Sequence, residues 1–471
     1  MTPQSNEKRP LAALLVPDLL ELLEEAPESL GPQTEEMHPA DLADVAEALP
    51  EASVRAFFAA LGKERAAEVL EYLDEDLRTQ FLEELTAREA ASIVAEMNPD
   101  ERADALEELD EETADEILSE LEPAEKAETE RLLAYEPDTA GGLMTTEFVS
   151  VNEDLDVEAA LSSVRAMARA GRREAMYAIY TTDILGRVRG VLSLNELLAA
   201  PEGARIADLA WSEVVTVSPN TLQEEVSQLI SNYDLVTLPV VDEDRRLLGV
   251  VTVDDVIDVI QEEGTEDAQK FGGMEALEEP YMQIGLWQNV RKRGGWLAVL
   301  AVGEMLTASA MANYEGEIAG VPMLAQFIPL VMSSGGNSGS QATSLIIRAM
   351  ALGEVRLGDW WRIVLRELPA GFILGLLLGT LSVARIMAWQ AMGLYDYGQY
   401  STRIAIAVGI SLVGIVTFGS ITGSMLPFVL RRLGFDPASA SAPFVATLVD
   451  VSAIMIYFSM AYLMLSGRLL N

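Results

Sequence analysis

The sequence contains no cysteine, which excludes disulfide staples and thiolate metal sites alike. Histidine is nearly absent too. The single one, His38, lies in the polar stretch Glu35-Glu36-Met37-His38-Pro39-Ala40-Asp41, where it reads as a solvated surface residue, because a transition-metal site seldom uses one imidazole without partners. One histidine also cannot build the His-Glu-x-x-His site of a membrane metalloprotease. No glycine-rich, lysine-ending phosphate loop occurs, so nothing points to phosphoryl transfer. Basic side chains are scarce in the first part: residues 1–283 carry 66 acidic and 20 basic groups, a net charge of −46, against 9 and 12 in residues 284–471. Such an acidic surface repels nucleic acid and anionic lipid, and its natural partners are cations or basic proteins. The first ten residues lead into an amphipathic acidic segment rather than a cleavable apolar run, so no signal peptide is expected.

What is present divides into stretches. A chain of 471 residues exceeds a single core, and length alone suggests about three domain-sized pieces. From His38 a repeat runs through four blocks of 24 residues, His38 to Leu61, Gly62 to Leu85, Thr86 to Leu109 and Asp110 to Leu133, each ending in leucine. Apolar residues recur within a block at helical spacing (Leu42, Val45, Ala46, Leu49), and a turn at Pro50, Asp74, Pro99 or Pro123 introduces a second short helix. The expected product is an all-α superhelix of stacked hairpins serving as a scaffold, over residues 1–135.

Residues 136–262 change to short β-branched runs alternating with helices: Val149 to Val151, Tyr177 to Tyr180, Val214 to Val217 and Thr237 to Val241. Two halves echo each other. Gly186 to Leu198 and Arg245 to Ile257 each give a turn, a strand around Gly190 or Gly249, and an acid-capped helix. This α/β stretch resembles a tandem pair of CBS domains, which implies a module that senses a small ligand, with ATP or another adenine nucleotide as a candidate. An acidic connecting helix is expected over residues 263–290, turning basic at Arg291, Lys292 and Arg293.

Five apolar stretches follow that are long enough to cross roughly 30 Å of hydrocarbon: Trp296 to Met311, Met323 to Met350, Ile363 to Met387, Ile404 to Leu430 and Pro443 to Leu465. The first is short and is expected to begin within Gln288 to Gly295. Basic residues border the first span on its N-terminal side, the loop between the second and third (Arg348, Arg356, Arg362, Arg366), and the end of the fourth (Arg431, Arg432). The loop after the first span has Glu315 and Glu317 instead. The positive-inside pattern therefore puts the acidic N-terminal part in the cytosol and the C-terminus outside. An odd number of spans closes a pore most simply as a symmetric dimer.

Two intramembrane features call for a function. Ser333 to Ser344 is a Gly- and Ser-rich polar run inside the second span, and loosened backbone at that depth is tolerated only where it lines a cavity or is buried in protein. Small residues there can equally serve helix packing. Asp450 is a carboxylate in the apolar fifth span, where even lenient scales put the cost of a charge at roughly 2.5–3.5 kcal/mol. No lysine or arginine shares that stretch, so a cation is its natural partner, and two copies about a dimer axis match one divalent ion.

The words Tyr135 to Val149, Val251 to Ile260, Pro329 to Ala349, Leu426 to Pro437 and Ser441 to Ser452 resemble the MgtE family of magnesium transporters. With the order of helical repeat, CBS pair, connecting helix and five spans, the resemblance covers nearly the whole chain. It implies a multidomain protein of the cell (inner) membrane, homodimeric, embedded in lipid, and not an enzyme. It further implies Asp450 as the carboxylate at the ion site, Gly336 and Asn337 as nearby pore-lining groups, and Glu315 near the outer mouth. Cytosolic magnesium sensors would lie around Glu224, Asp234, Asp255, Asp258, Glu263 and Glu266, with Asp436 at the inner membrane face. Mg2+ sheds water reluctantly and prefers oxygen ligands, so a few carboxylate and carbonyl oxygens around a hydrated ion suit it. A potential of about 100 mV contributes roughly 4.6 kcal/mol for a double charge, ample for passive uptake. A broader carrier of Co2+, Mn2+ or Ni2+ fits the same residues. A membrane-anchored sensor without transport would leave Asp450 and the Gly-Gly-Asn run unexplained.

Overall fold

The computed structural model describes residues 10–169, 178–277, 281, 284–398 and 400–465. It divides into two units, Met1–Ile260 and Gln261–Asn471. Tyr177, the sequence before Pro10 and part of the expected connecting helix (residues 278–280, 282 and 283) lie outside the described residues.

In the first unit each 24-residue block becomes two helices: Pro39–Ala48 and Glu51–Leu61, Lys63–Leu70 and Glu75–Glu83, Ala87–Val94 and Pro99–Glu107, Glu111–Glu120 and Pro123–Leu132. The turn residues read from the sequence all stand at the start of the second helix, Pro50 and Asp74 as N-caps and Pro99 and Pro123 as first helical residues. Proline suits that place because the first turn needs no N–H. Other starts are fixed by side chains, Thr86 with Glu89 in a capping box and Asp110 accepting from the amides of Glu112 and Thr113. The first helix of each block packs on the first helix of the next. Leu42, Phe57, Phe58, Val69, Leu70, Phe81 and Leu82 form the shared core. Arg78 and Arg102 occupy the same position in consecutive blocks, and each reaches an acid of the block that follows. Arg78 Nε donates to Glu108 at 2.9 Å, and Arg102 Nη2 lies 3.2 Å from Glu128. His38 is exposed and caps Pro39–Ala48 through Nδ1.

The α/β region carries the expected internal symmetry. Strand β1 (Val149–Asn152) pairs parallel with β2 (Ile179–Thr182), which pairs antiparallel with β3 (Val188–Leu192). In the second half β4 (Thr237–Val241) pairs antiparallel with β5 (Leu247–Thr252), and Val217 makes a parallel bridge to Val240. The expected strand Val214 to Val217 is thus reduced to one bridge. Acid-capped helices follow β3 and β5: Ser193 and Glu196 form a capping box, and the Thr252 hydroxyl donates to Asp255. Tyr180 and Thr237 hydroxyls meet at 2.8 Å and join the two halves. Ala103 and Leu132 of the helical repeat pack with Met144, Val226, Ile230, Leu238 and Val251. The repeat and the second half therefore share a core.

The helix Val253–Phe271 starts directly after β5. In the second unit, long helices follow at Leu286–Ala312, Ile328–Ala351, Trp360–Met392, Ser401–Arg432 and Ala442–Leu465. Among the described residues four are long and apolar enough to cross a membrane, Leu286–Ala312, Leu357–Met392, Ser401–Arg432 and Ala442–Leu465. The first starts at Leu286, two residues before the expected Gln288 to Gly295. Ile328–Ala351 falls short of that apolarity because its middle is the Gly- and Ser-rich run.

Candidate ion pathway and cation-sensing sites

The Gly/Ser run is not loosened: Ser333 to Ser344 lies within the unbroken helix Ile328–Ala351. Its small residues serve two faces. Gly335, Gly339 and Thr343, spaced one turn apart, meet Ser401–Arg432 so closely that a β-carbon at Gly423 would lie 2.1 Å from the Gly339 carbonyl oxygen. Thr343 Oγ1 donates to the Gly423 carbonyl at 2.8 Å, and the Ser338 and Ser420 hydroxyls meet at 2.8 Å. Packing thus accounts for this face, and small side chains are what allow the backbones to approach. The adjoining face turns to Ala442–Leu465. A β-carbon on Gly336 would touch Ala446 at 3.1 Å and come within 3.9 Å of Asp450 Oδ1. Asn337, the next residue, is exposed, with its amide 3.3 Å from Ser333 Oγ. Gly336 and Asp450 are therefore neighbours, with Asn337 beside Gly336 in sequence. Glu315 starts a short exposed helix, Glu315–Gly320, after the first long helix. Glu304 was missed at the sequence level. It is a second carboxylate among the apolar helices, on Leu286–Ala312, and the signal was its charge within that helix.

At the other end of the second unit, Lys270 joins two of the expected sensor acids. Its ammonium lies 2.5 Å from Glu266 and 2.7 Å from Asp436. Burial works against this ammonium, but its hydrogen bonds to Asp436 and Glu266 outweigh that and push its pKa up. The group borders a cavity of about 370 Å³ with Met274, Glu275, Lys292 and Trp296. Asp436 also caps the turn Pro437–Ser439 by accepting from Ala438 N at 2.8 Å. Glu263 lies one turn before Glu266 on the same helix.

The remaining expected acids are in the first unit. Asp234 is an exposed left-handed cap (φ 51°) of Gln223–Tyr233 and borders a cleft of about 320 Å³ with Tyr180, Ser193, Trp211, Tyr233 and Thr237. Glu224 opens that same helix, and Asp258 is exposed on Val253–Phe271. Asp255 faces residues that sequence reasoning did not single out. Among the described residues, Asp100 Oδ1 is buried with no hydrogen-bond partner. Burial pushes the Asp100 carboxyl well above the ordinary range, and repulsion from Asp255 adds to this. Burial, then Asp100 and Asp104, pushes Glu101 up to about 9. Asp104 is raised too, by burial first, with Arg78 opposing. The only signal in the sequence was Pro99-Asp100-Glu101 at a helix start, where acids are ordinary. Among the described residues no three carboxylate or imidazole groups are arranged to hold a metal ion by themselves.

Comparison with known proteins accounts for this combination. Residues 328–460 match the MgtE divalent cation transporter family, residues 37–138 the MgtE intracellular N domain, and residues 206–262 the CBS domain. The magnesium transporter MgtE of Thermus thermophilus is 43% identical over 343 residues, covering 72% of this chain and 73% of that protein. The chain belongs to the MgtE family of magnesium transporters. A crystal structure of the soluble part of a magnesium transporter, 33% identical, covers 54% of this MgtE chain and 99% of its own, with a TM-score of 0.50. A crystal structure of the cytosolic domain of the Mg2+ channel MgtE in complex with ATP is 39% identical, covers 52% of this chain and 99% of its own, and has a TM-score of 0.49. The family's relatives are transporters, and the apolar helices and CBS region of this chain fit that class.

Proposed function

We infer that the chain is a magnesium-selective channel or transporter that admits Mg2+ passively and is closed by Mg2+ on the cytosolic side. The observation carrying this reading is the placement of Asp450 beside Gly336 within apolar helices. A carboxylate there is costly unless it serves an ion or proton path, and Mg2+ keeping several waters suits one carboxylate per subunit with backbone and amide oxygens. Five spans per subunit, including the small-residue helix Ile328–Ala351, would close a pore about a two-fold axis as a homodimer in the cell membrane. The N-terminus would be cytosolic and the C-terminus external. Domains over residues 1–135 (a superhelix), 136–262, 263–290 and 291–471 would then act as scaffold, sensor, plug and pore.

For sensing, the buried and mutually repelling acids Asp100, Glu101, Asp104 and Asp255 favour a cation between the helical repeat and the CBS region. Glu266 and Asp436 already hold the Lys270 ammonium, so they suit a cation as well. Glu224, Asp234, Asp258 and Glu263 would add weaker sites. The cleft beside Asp234, with exposed Tyr233 and Trp211 rings, suits an adenine nucleotide. The deciding experiment is Mg2+ uptake into liposomes holding the full-length protein. Uptake that falls as Mg2+ is raised on the cytosolic face supports the reading, and absence of any Mg2+ flux refutes it. Equal transport of Co2+, Mn2+ or Ni2+ would favour a broader carrier.

A further inference from the structure

Asp450 is accompanied by a second acid within about one turn along the helix axes. Leu286–Ala312, together with Tyr314 just beyond its end, meets Ala442–Leu465 at three points. Trp296 Nε1 donates to Ser441 Oγ at 3.0 Å while its ring lies against Phe444. Gly303 abuts Thr447 so closely that a β-carbon would lie 2.3 Å from Thr447 Cγ2. Tyr314 stacks on Phe458 with ring centroids 4.8 Å apart. Residue numbers rise together along both helices, so they run in the same direction. Glu304, one residue beyond Gly303, therefore lies within about 3 Å along the helix axes of Asp450, three residues beyond Thr447.

Glu304 is exposed on the single chain and makes no hydrogen bond or ion pair among the described residues. An ionisable group in a span is costly against lipid and normally faces a polar path or a partner charge. We propose that Glu304 is a second acidic residue of the permeation path, which draws the divalent cation toward Asp450 and sharpens its preference over monovalent ions. The proposal rests on Asp450 being the ion site. A fixed charge attracts a double charge twice as strongly as a single one at equal distance. Because Mg2+ keeps several waters, Glu304 acts through the ion's hydration shell without entering its inner coordination.

The test is Mg2+ uptake by the full-length protein in liposomes, measured across MgCl2 concentrations at low and high NaCl. Glu304→Gln is expected to raise the half-saturating Mg2+ concentration about threefold or more and to make uptake more sensitive to NaCl, while Glu304→Asp stays within about twofold of wild type. Asp450→Ala serves as the reference and abolishes uptake. Wild-type half-saturation and NaCl sensitivity in Glu304→Gln, alongside an inactive Asp450→Ala, would overturn the proposal while sparing the ion site. Equal impairment in the Gln and Asp variants would mark a packing role and overturn it too. Uptake retained by Asp450→Ala would refute the ion-site reading and this proposal with it.

Discussion

Asp100→Asn removes the buried ionisable group of the first unit's acid cluster while nearly keeping its shape. Among the described residues Asp100 Oδ1 has no hydrogen-bond partner, and a buried unsatisfied polar group costs about 1–3 kcal/mol, more when charged. Its neighbour gives the scale: moving Glu101 from 4.5 to about 9 corresponds to at most about 6 kcal/mol at roughly 1.36 per pH unit. Solvent reaching that side chain, 29% exposed, lowers the figure to a few kcal/mol. The sign follows from linkage. A carboxyl whose folded pKa exceeds its unfolded value holds its proton more tightly when folded, so its stabilisation is complete below the ordinary carboxylate range and is lost as pH rises through the folded value. Without Mg2+ the first unit should therefore lose stability between about pH 4 and about pH 9, the value to which Glu101 is pushed.

Mg2+ should reverse this loss, since a cation compensates the same charges, and at 100 times its dissociation constant it adds about 2.7 kcal/mol. Asp100→Asn is expected to stabilise the Mg2+-free unit at pH 8 by about 1–3 kcal/mol and to remove most of the Mg2+ effect. Hydrogen exchange on full-length protein in detergent, read at amides of Pro99–Glu107 and Val253–Val259 at one pH with EDTA or Mg2+, measures both. An Asn variant that is less protected than wild type in EDTA, or equally protected by Mg2+, would refute the reasoning.

Asn337→Ala should change competition among Mg2+, Ca2+ and Co2+ more than it changes folding, because its amide is an uncharged oxygen donor. Unchanged competition in uptake assays would count against it. Lys270→Gln frees Glu266 and Asp436 from their tethered cation and should lower the cytosolic Mg2+ concentration needed for half-closure by about threefold or more, checked by channel recording. A reporter fused after Asn471 should be external, and a cytosolic signal would contradict the proposed topology. Deleting residues 1–135 should weaken inhibition by cytosolic Mg2+ without abolishing flux, and unchanged inhibition would remove the helical repeat from the sensor.

Legibility in the sequence followed the range over which each signal acts. The helical blocks were readable because Pro50, Asp74, Pro99 and Pro123 act on their own next turn, and Thr237 to Val241 because a short β-branched run is itself a local signal. Val214 to Val217 was overread: its composition is that of a strand, but pairing depends on a neighbour, and only Val217 finds one. From the sequence, the Ser333 to Ser344 run allows either loosened backbone at a cavity or close helix packing. Here Gly419 and Gly423 answer Gly335 and Gly339, and that complementarity cannot be read from one stretch. Asp450 stood out by its isolation, whereas Glu304 and Asp100 did not. Glu304 gains meaning from the packing of its helix on the one that carries Asp450, and Asp100 from burial near Asp255. Both are facts of packing.

The same distinction bears on how a closing signal could be strong. An ion can shift an open–closed equilibrium only by its difference in affinity for the two states, and reversing a 1:99 ratio takes about 5.5 kcal/mol. No single acid in the chain offers that, and no three form a metal cage among the described residues. Several half-formed sites, each completed only when acidic surfaces meet, would supply about 1–2 kcal/mol apiece and add if independent. The net charge of −46 over residues 1–283 would then have a use under the proposed mechanism: it would make a Mg2+-free closed state unfavourable. Mutating one sensor acid should therefore shift the Mg2+ response of closure modestly, and combining Asp255→Asn with Asp436→Asn should shift it by about the product of the two single effects. A double variant no worse than either single one would mean that the sites do not add, and the distributed mechanism would fail.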